Sequence, residues 1–232
     1  MPLYLTLELS ALFIPLLLSF DKKVAFYKLW PALFISVVLT GIFFILVDIY
    51  FTSRGIWGFK PEHHTNVVIA GLPLEEWLFF IIIPYASIFI HYVLAIYFPK
   101  LILPVKVTRI ISIILIITLI ILAIFYHKRL YSLFYFSLMA LVISVSLFSK
   151  SGIINRFYLT YLVILIPFFI INGILTGSFI TEEVVWYNRS EIMGIRIFTV
   201  PVEDVSYGFC LILINLLLIN IFNKLMKIRY PA

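Results

Sequence analysis

The chain has 232 residues, is 64% hydrophobic and 12% charged, and carries a formal charge of +6 with a mean hydropathy of +1.17. A soluble domain is about 45–50% apolar and about 25% charged, and a disordered chain needs low hydrophobicity with high charge. Both classes are excluded, which leaves a polytopic membrane protein.

Apolar runs fall at 3–20, 31–50, 73–97, 109–126, 131–148, 157–175 and 201–222. A spanning helix takes about 20 residues, and the alternating ten-residue segments of a membrane β-barrel are absent. The prediction is an all-α protein of seven transmembrane helices with short loops and no room for a soluble domain. The first run lacks a basic leader and a small-residue cleavage site, so it is read as a helix and not as a cleaved signal.

Taken in chain order, helix 1 carries Glu8 and helix 2 carries Asp48 near its far end. The following loop holds Trp57, Glu62, His63 and His64. Adjacent histidines rarely serve one metal without further ligands, and no metal site is predicted. Helix 3 opens on Pro73-Leu74-Glu75-Glu76-Trp77 and continues through Tyr85 and His91. Helix 4 has no acid. Helix 6 carries Asn172 toward its end, and the next loop holds Trp186. Helix 7 opens on Pro201-Val202-Glu203-Asp204 and continues through Tyr207 and Cys210. As the sole cysteine, Cys210 allows no intramolecular disulfide and no cysteine metal cluster.

The basic residues sit in short clusters between the apolar runs, where they act as orientation signals and not as a nucleic-acid footprint. With the N-terminus outside, the inner segments hold 11 Lys and Arg, including Lys150 and Arg229, against 6 in the outer segments, including Lys128 and Arg129. The expected placement is a multi-pass protein of the cell membrane, N-terminus outside and C-terminus cytoplasmic.

The chain repeats itself. Pro73-Leu74-Glu75-Glu76 matches Pro201-Val202-Glu203-Asp204 at an offset of 128 residues, and Trp57 matches Trp186 at 129. Phe20-Asp21-Lys22 and Phe26-Tyr27 have counterparts at 128 and 131. The expected organisation is a first three-helix repeat (1–97), a connecting helix 4 (98–127), and a second three-helix repeat with a basic tail (128–232). An odd connector gives both repeats the same orientation, and sites often lie between such copies.

Carboxylates inside a bilayer are expensive and mark functional sites by default. Glu8, Asp48, Glu75, Glu76, Glu203 and Asp204 all fall in or beside apolar runs. The predicted topology gathers them, with Asn172, in one layer toward the outer face. A proline followed by acids is also an ordinary helix opening, because the carboxylates meet the positive end of the helix dipole. Two matching openings in duplicated helices favour function. Adjacent helical residues point about 100° apart, so one acid of each pair can face the repeat interface while the other bonds to the backbone. A carboxylic acid held protonated in apolar surroundings is a usable Brønsted acid. Trp57, Trp77, Trp186, Tyr85 and Tyr207 flank this layer. They fit an interfacial aromatic belt or a pocket lining whose π faces stabilise a cation. His91 and Cys210 are read as structural.

The openings Gly71-Leu-Pro-Leu-Glu-Glu-Trp-Leu-Phe-Phe80 and Pro201-Val-Glu-Asp-Val-Ser-Tyr-Gly-Phe209 resemble the paired motifs of the small integral-membrane lycopene cyclases. Stretches Leu18–Lys23 and Asp48–Phe59 fit as well, and the chain is similar to the fused form of the two-subunit bacterial enzyme. The resemblance implies a lycopene β-cyclase, a redox-neutral isomerase of carotenoid biosynthesis. It would convert linear carotenoid ends to β-ionone rings within the bilayer, by acid–base and carbocation chemistry and with no cofactor. By transfer from the motifs, Glu75, Glu76, Glu203 and Asp204 are the catalytic candidates. The aromatic residues would stabilise the cation, with Glu8, Asp48 and Asn172 in support.

Two other readings compete. An intramembrane protease of the prenyl-protein-processing type also opens a helix on Glu-Glu, but its pattern places Arg where Phe80 stands and needs a helical Phe-x-x-x-His motif that is missing. A proton-coupled transporter would also suit parallel repeats with intramembrane acids. No Gly-x-Gly-x-x-Gly fingerprint suggests a dinucleotide.

Overall fold

The computed structural model describes residues 2–149, 151–228 and 230. Lys150 and Arg229, two of the basic residues counted for orientation, lie outside the described residues, as does the end of the tail at 231–232. Seven α-helices form the fold: α1 (Leu3–Leu18), α2 (Trp30–Ser53), α3 (Leu74–Tyr97), α4 (Val105–Phe125), α5 (Leu130–Phe148), α6 (Ile153–Leu175) and α7 (Val202–Leu225). All but α1 are long and apolar enough to cross a membrane, and the protein is an all-α, polytopic membrane protein.

The helices depart from the apolar runs at identifiable points. At 16 residues α1 is shorter than its run, about 24 Å at 1.5 Å per residue. It ends where the Ser19 hydroxyl donates back to the Pro15 carbonyl at 2.7 Å. Helices α4 and α6 begin earlier than the hydropathy suggests, because charged residues sit in their first turns. Arg156 lies inside α6 and donates to the carbonyls of Phe98, Pro99 and Leu101, clamping the loop before α4.

The packing is pseudo-symmetric. Helices α3 and α7 meet at the centre. On one side α1 and α2 pack on α3; on the other α5 and α6 pack on α7. Each middle helix also crosses over, α2 onto α7 and α6 onto α3. Lipid supplies no hydrophobic force between helices, so close packing matters most. At Gly41, where α2 packs on α3, an added Cβ would make ordinary van der Waals contact with Phe80 Cβ at 3.5 Å. Helix α4 packs on α5 and exposes Ile110, Ile114, Ile117 and Ile121 to the surroundings.

Six short strands order the loops at one end of the bundle. Strands β1 (Trp57–Phe59) and β4 (Val185–Tyr187) pair antiparallel, with Gly58 opposite Trp186. Lys60 extends the join with ion pairs to Glu182 and Glu183 at 3.6 and 3.5 Å. Hairpin β2 (Val68–Ile69)/β3 (Leu72–Pro73) leads into α3, and hairpin β5 (Arg196–Ile197)/β6 (Val200–Pro201) leads into α7. The first hairpin turns on Ala70 and Gly71, both with positive φ (52° and 84°), as a two-residue turn that follows strand twist requires.

Candidate active site

Each acidic pair divides its labour as the helix geometry demands. Pro73 and Pro201 are the N-cap residues of α3 and α7, which puts the two acids of each pair in the first turn. Glu75 turns back to the loop and accepts the Thr65 N–H at 2.7 Å and the Thr65 hydroxyl at 3.2 Å. Glu203 does the same in the second half, accepting the Met193 N–H and the Ser132 hydroxyl, each at 2.5 Å. Both carboxyl groups are fully buried. They tie each hairpin to the helix it precedes.

The second acids face inward. Tyr4 on α1 donates its phenol to Glu76 Oε2 at 2.6 Å. Tyr131 on α5 donates to Asp204 Oδ1 at 2.8 Å, and Tyr187 on β4 donates to Oδ2 at 2.9 Å. Burial, and then the Asp204 carboxylate beside it, push the Tyr187 phenol well above its ordinary value, so it stays a donor. Glu76 and Asp204 meet Asp48 of α2 at one cavity of about 40 Å³, so the structure brings three of the predicted acids together across both halves. Trp57, Phe79 and Tyr207 close its walls, and Asn172 reaches it from α6. Trp57 stacks on Tyr187 at 6.4 Å and Tyr207 on Phe79 at 6.2 Å.

Other predicted residues stand apart. Glu8 is buried on α1 but does not line the cavity. Trp77 donates its indole N–H to the Ile69 carbonyl at 3.2 Å and so braces the first hairpin. Trp186 packs flat on Gly58, where an added Cβ would come within 2.8 Å of its ring. Tyr85 does not flank the acids at all. Its hydroxyl meets Ser19 at 2.5 Å and the Trp30 indole at 3.2 Å, midway along α3. His91 bonds Thr160 at 2.7 Å, also away from the acids. In the loop, His64 Nδ1 accepts the Asn66 N–H at 3.1 Å, and among the described residues no group of metal-binding side chains converges.

Sequence reasoning missed Tyr4, Tyr131 and Tyr187. The offset of 127 residues between Tyr4 and Tyr131, one short of that between the acids they hold, was the available signal.

Two of the larger spaces along the helices bear on the site. A crevice of about 270 Å³ runs between α1, α3, α6 and α7, lined by apolar side chains such as Ile14, Ile83, Phe168 and Leu211. It shares Phe79, Asn172 and Tyr207 with the acid cavity. A cavity of about 640 Å³ opens at the far end of α3 and α7, beside His91, Arg156, Lys224 and Lys227. No acid lines it, so it offers nothing for proton transfer from a carboxyl group.

A protein of Phycomyces blakesleeanus described as a bifunctional lycopene cyclase/phytoene synthase is 38% identical over 61 residues, covering 26% of this chain. The matched stretch spans about a tenth of that relative's length, 10%. No solved structure matches the chain. The family model described as Lycopene cyclase matches residues 1–94 and 128–222, most of the chain on both sides of α4, and the protein belongs to the lycopene cyclase family.

Proposed function

We propose that this protein cyclises the linear ends of lycopene to β-ionone rings inside the bilayer, without a redox cofactor. The observation that carries this reading is the meeting of Asp48, Glu76 and Asp204 at an aromatic-walled cavity beside an apolar crevice. Acid-initiated ring closure needs a proton donor, a proton acceptor, π faces near the cation and exclusion of water. Glu76 and Asp204 supply the first two, and Trp57, Tyr207 and Phe79 the third. Glu75 and Glu203 hold the two openings in place. The crevice, apolar along its lining, takes the part of the polyene next to the reacting end.

The acid cavity, at about 40 Å³, is only a few times the roughly 10–15 Å³ that one water needs. The reacting end group therefore enters by parting the side chains common to both spaces, Phe79, Asn172 and Tyr207. Closure behind it keeps the cation dry. The site lies between two units, residues 1–97 and 128–232, with α4 as the connector and the acids toward the outer face of the cell membrane. The matching hydrogen bonds of Tyr4 with Glu76 and Tyr131 with Asp204 support that division.

Expression in a lycopene-accumulating bacterium, followed by pigment chromatography, tests the reading. Cyclised carotenoid is the expected product; unchanged lycopene alongside abundant membrane-inserted protein overturns it. Purified protein in lipid should convert lycopene without added flavin or nicotinamide.

A further inference from the structure

The two halves of the site share a scaffold and differ in proton chemistry. In the first half Tyr4 holds one oxygen of Glu76. One turn further along α1, on the same face, stands Glu8. It is fully buried, and neither of its carboxyl oxygens has a hydrogen-bond partner among the described residues. Glu76 and Glu75 are its charged neighbours. In the second half Tyr131 holds Asp204 in the same way, but the residue one turn further along α5 is Tyr135, which brings no acid. Tyr187 then adds a donor to the other oxygen of Asp204. The offset of 129 that carries Trp57 to Trp186 carries Gly58 to Tyr187, so the first half lacks that hydroxyl.

Donors on both oxygens offset part of the cost of burying Asp204 as a carboxylate. Glu8, buried without a donor, sits where an ionised carboxylate costs far more than the neutral acid. Glu76, with one donor, lies between these extremes. We propose that the proton enters the substrate from the first half and leaves to the second, with Glu8 and Glu76 as the donating arm and Asp204, Tyr131 and Tyr187 as the accepting arm.

This rests on the cyclase reading. Glu76 gives its proton to the terminal carbon–carbon double bond. A C–H bond forms, the π bond breaks, and a tertiary cation remains. The neighbouring double bond attacks and closes the ring, moving the cation into it. A ring carbon beside the cation then loses its proton to Asp204, and the freed electron pair becomes the ring double bond. One proton enters, one leaves, and no electrons are gained or lost. Glu8 is a positioning residue that shares its proton with the spent Glu76. Asp48 has both Glu76 and Asp204 as charged neighbours and lines the same cavity, so it carries the proton back.

The two arms predict different failures. Donor loss stops the reaction before a cation exists; acceptor loss leaves a cation that must discharge elsewhere. The test is lycopene conversion by membranes carrying the wild type, Glu8→Gln, Glu76→Gln, Asp204→Asn or Tyr187→Phe, normalised to inserted protein, with the ring double bond located in each product. A positioned general acid contributes about 100- to 10,000-fold, so Glu76→Gln should lose at least about 100-fold. Glu8→Gln should lose roughly 10-fold, and whatever either variant makes should carry the wild-type ring. Asp204→Asn and Tyr187→Phe should instead yield displaced ring double bonds or hydroxylated, water-trapped rings. Tyr187→Phe keeps the acid and most of the packing, so it reports even if Asp204→Asn accumulates poorly. Displaced double bonds from Glu8→Gln or Glu76→Gln, or an unchanged ring from Tyr187→Phe with only a lower rate, would overturn the assignment. Inactive wild type would sink the cyclase reading itself.

Discussion

Tyr4 and Tyr131 hold the same station in the two halves of the bundle. Each lies in the first turn of the helix opening its half, and each donates its phenol to the inward acid of the central helix, Glu76 at 2.6 Å and Asp204 at 2.8 Å. The acids are thus fixed by bonds between helices α1 and α3, and α5 and α7, not by the turn that contains them. That makes the depth and direction of each carboxyl a property of helix packing.

Removing either phenol should loosen one acid while leaving the ring in place. A hydrogen bond to a charged group is worth about 1.5–3 kcal/mol, and each 1.36 kcal/mol on a barrier is tenfold in rate. Tyr4→Phe and Tyr131→Phe should each lower cyclisation by about 10- to 100-fold, with normal accumulation in the membrane. Product per unit of inserted protein is the measurement, and wild-type rates in both variants would show that the phenols do not serve the acids.

The outward acids should behave differently. Glu75 and Glu203 bond to the backbone N–H groups of Thr65 and Met193, ten residues upstream in each half. Glu75→Gln and Glu203→Gln keep an acceptor there and should stay within about threefold of wild-type activity per inserted molecule. Glu75→Ala and Glu203→Ala strand buried donors, which costs about 1–3 kcal/mol each. Thermal unfolding in detergent should show the loss, and a stability profile flat across all four variants would remove their structural role.

Much of this arrangement is legible in the sequence. The apolar runs located the helices, and the repeated Pro-x-acid-acid openings located the inward carboxyl groups, because burying a charge in a bilayer needs a reason. Aromatic residues were harder. Tyr85 was placed with the acids, yet it lies nine residues beyond Glu76 on a continuous helix, about 13 Å along the axis. Tyr4, Tyr131 and Tyr187 passed unnoticed because an interfacial belt uses the same residue types. The β1–β4 join pairs loops some 130 residues apart and has no local signature beyond the repeated tryptophan.

That join makes its own prediction. Gly58 lies under the Trp186 ring, and a Cβ there would stand 2.8 Å from Cζ2 and 3.0 Å from Cε2. Overpacking of this kind costs about 1–3 kcal/mol. Gly58→Ala should part the two strands, shift Trp57 and Tyr187 in the cavity wall, and lower both thermal stability and activity. An unchanged melting temperature would show that the tryptophan yields freely.

The basic residues, 11 on one side against 6 on the other, predict an orientation with the N-terminus outside. Arg129, on the minority side, is held in place: its guanidinium donates to the Ile192 carbonyl and lies 5.5 Å from the centre of the Tyr126 ring. A structural arginine weakens the counter-signal. A reporter active only outside the cytoplasm, fused after Ala232, should be silent, and the same reporter in the loop after Ser53 should be active. The reverse pattern would invert the protein.

On the cyclase reading the crevice has to hold the polyene, since the acid cavity of about 40 Å³ is too small for it. Ala11 and Ala86 line the crevice from α1 and α3, and their small side chains leave the space that a polyene would fill. Ala11→Phe and Ala86→Leu should therefore obstruct binding without touching the acids, raising the lycopene concentration needed for half-maximal rate several-fold. Ile166 on the same helix as Asn172 is 63% exposed and lines neither the crevice nor the acid cavity, so Ile166→Trp adds bulk to the outside of the bundle and should leave turnover unchanged. The contrast matters because all three variants insert larger apolar side chains into a lipid-facing protein. A general effect on insertion would depress all of them alike, whereas a blocked crevice depresses only the first two. Wild-type half-saturation in Ala11→Phe and Ala86→Leu together would place the polyene elsewhere on the bundle.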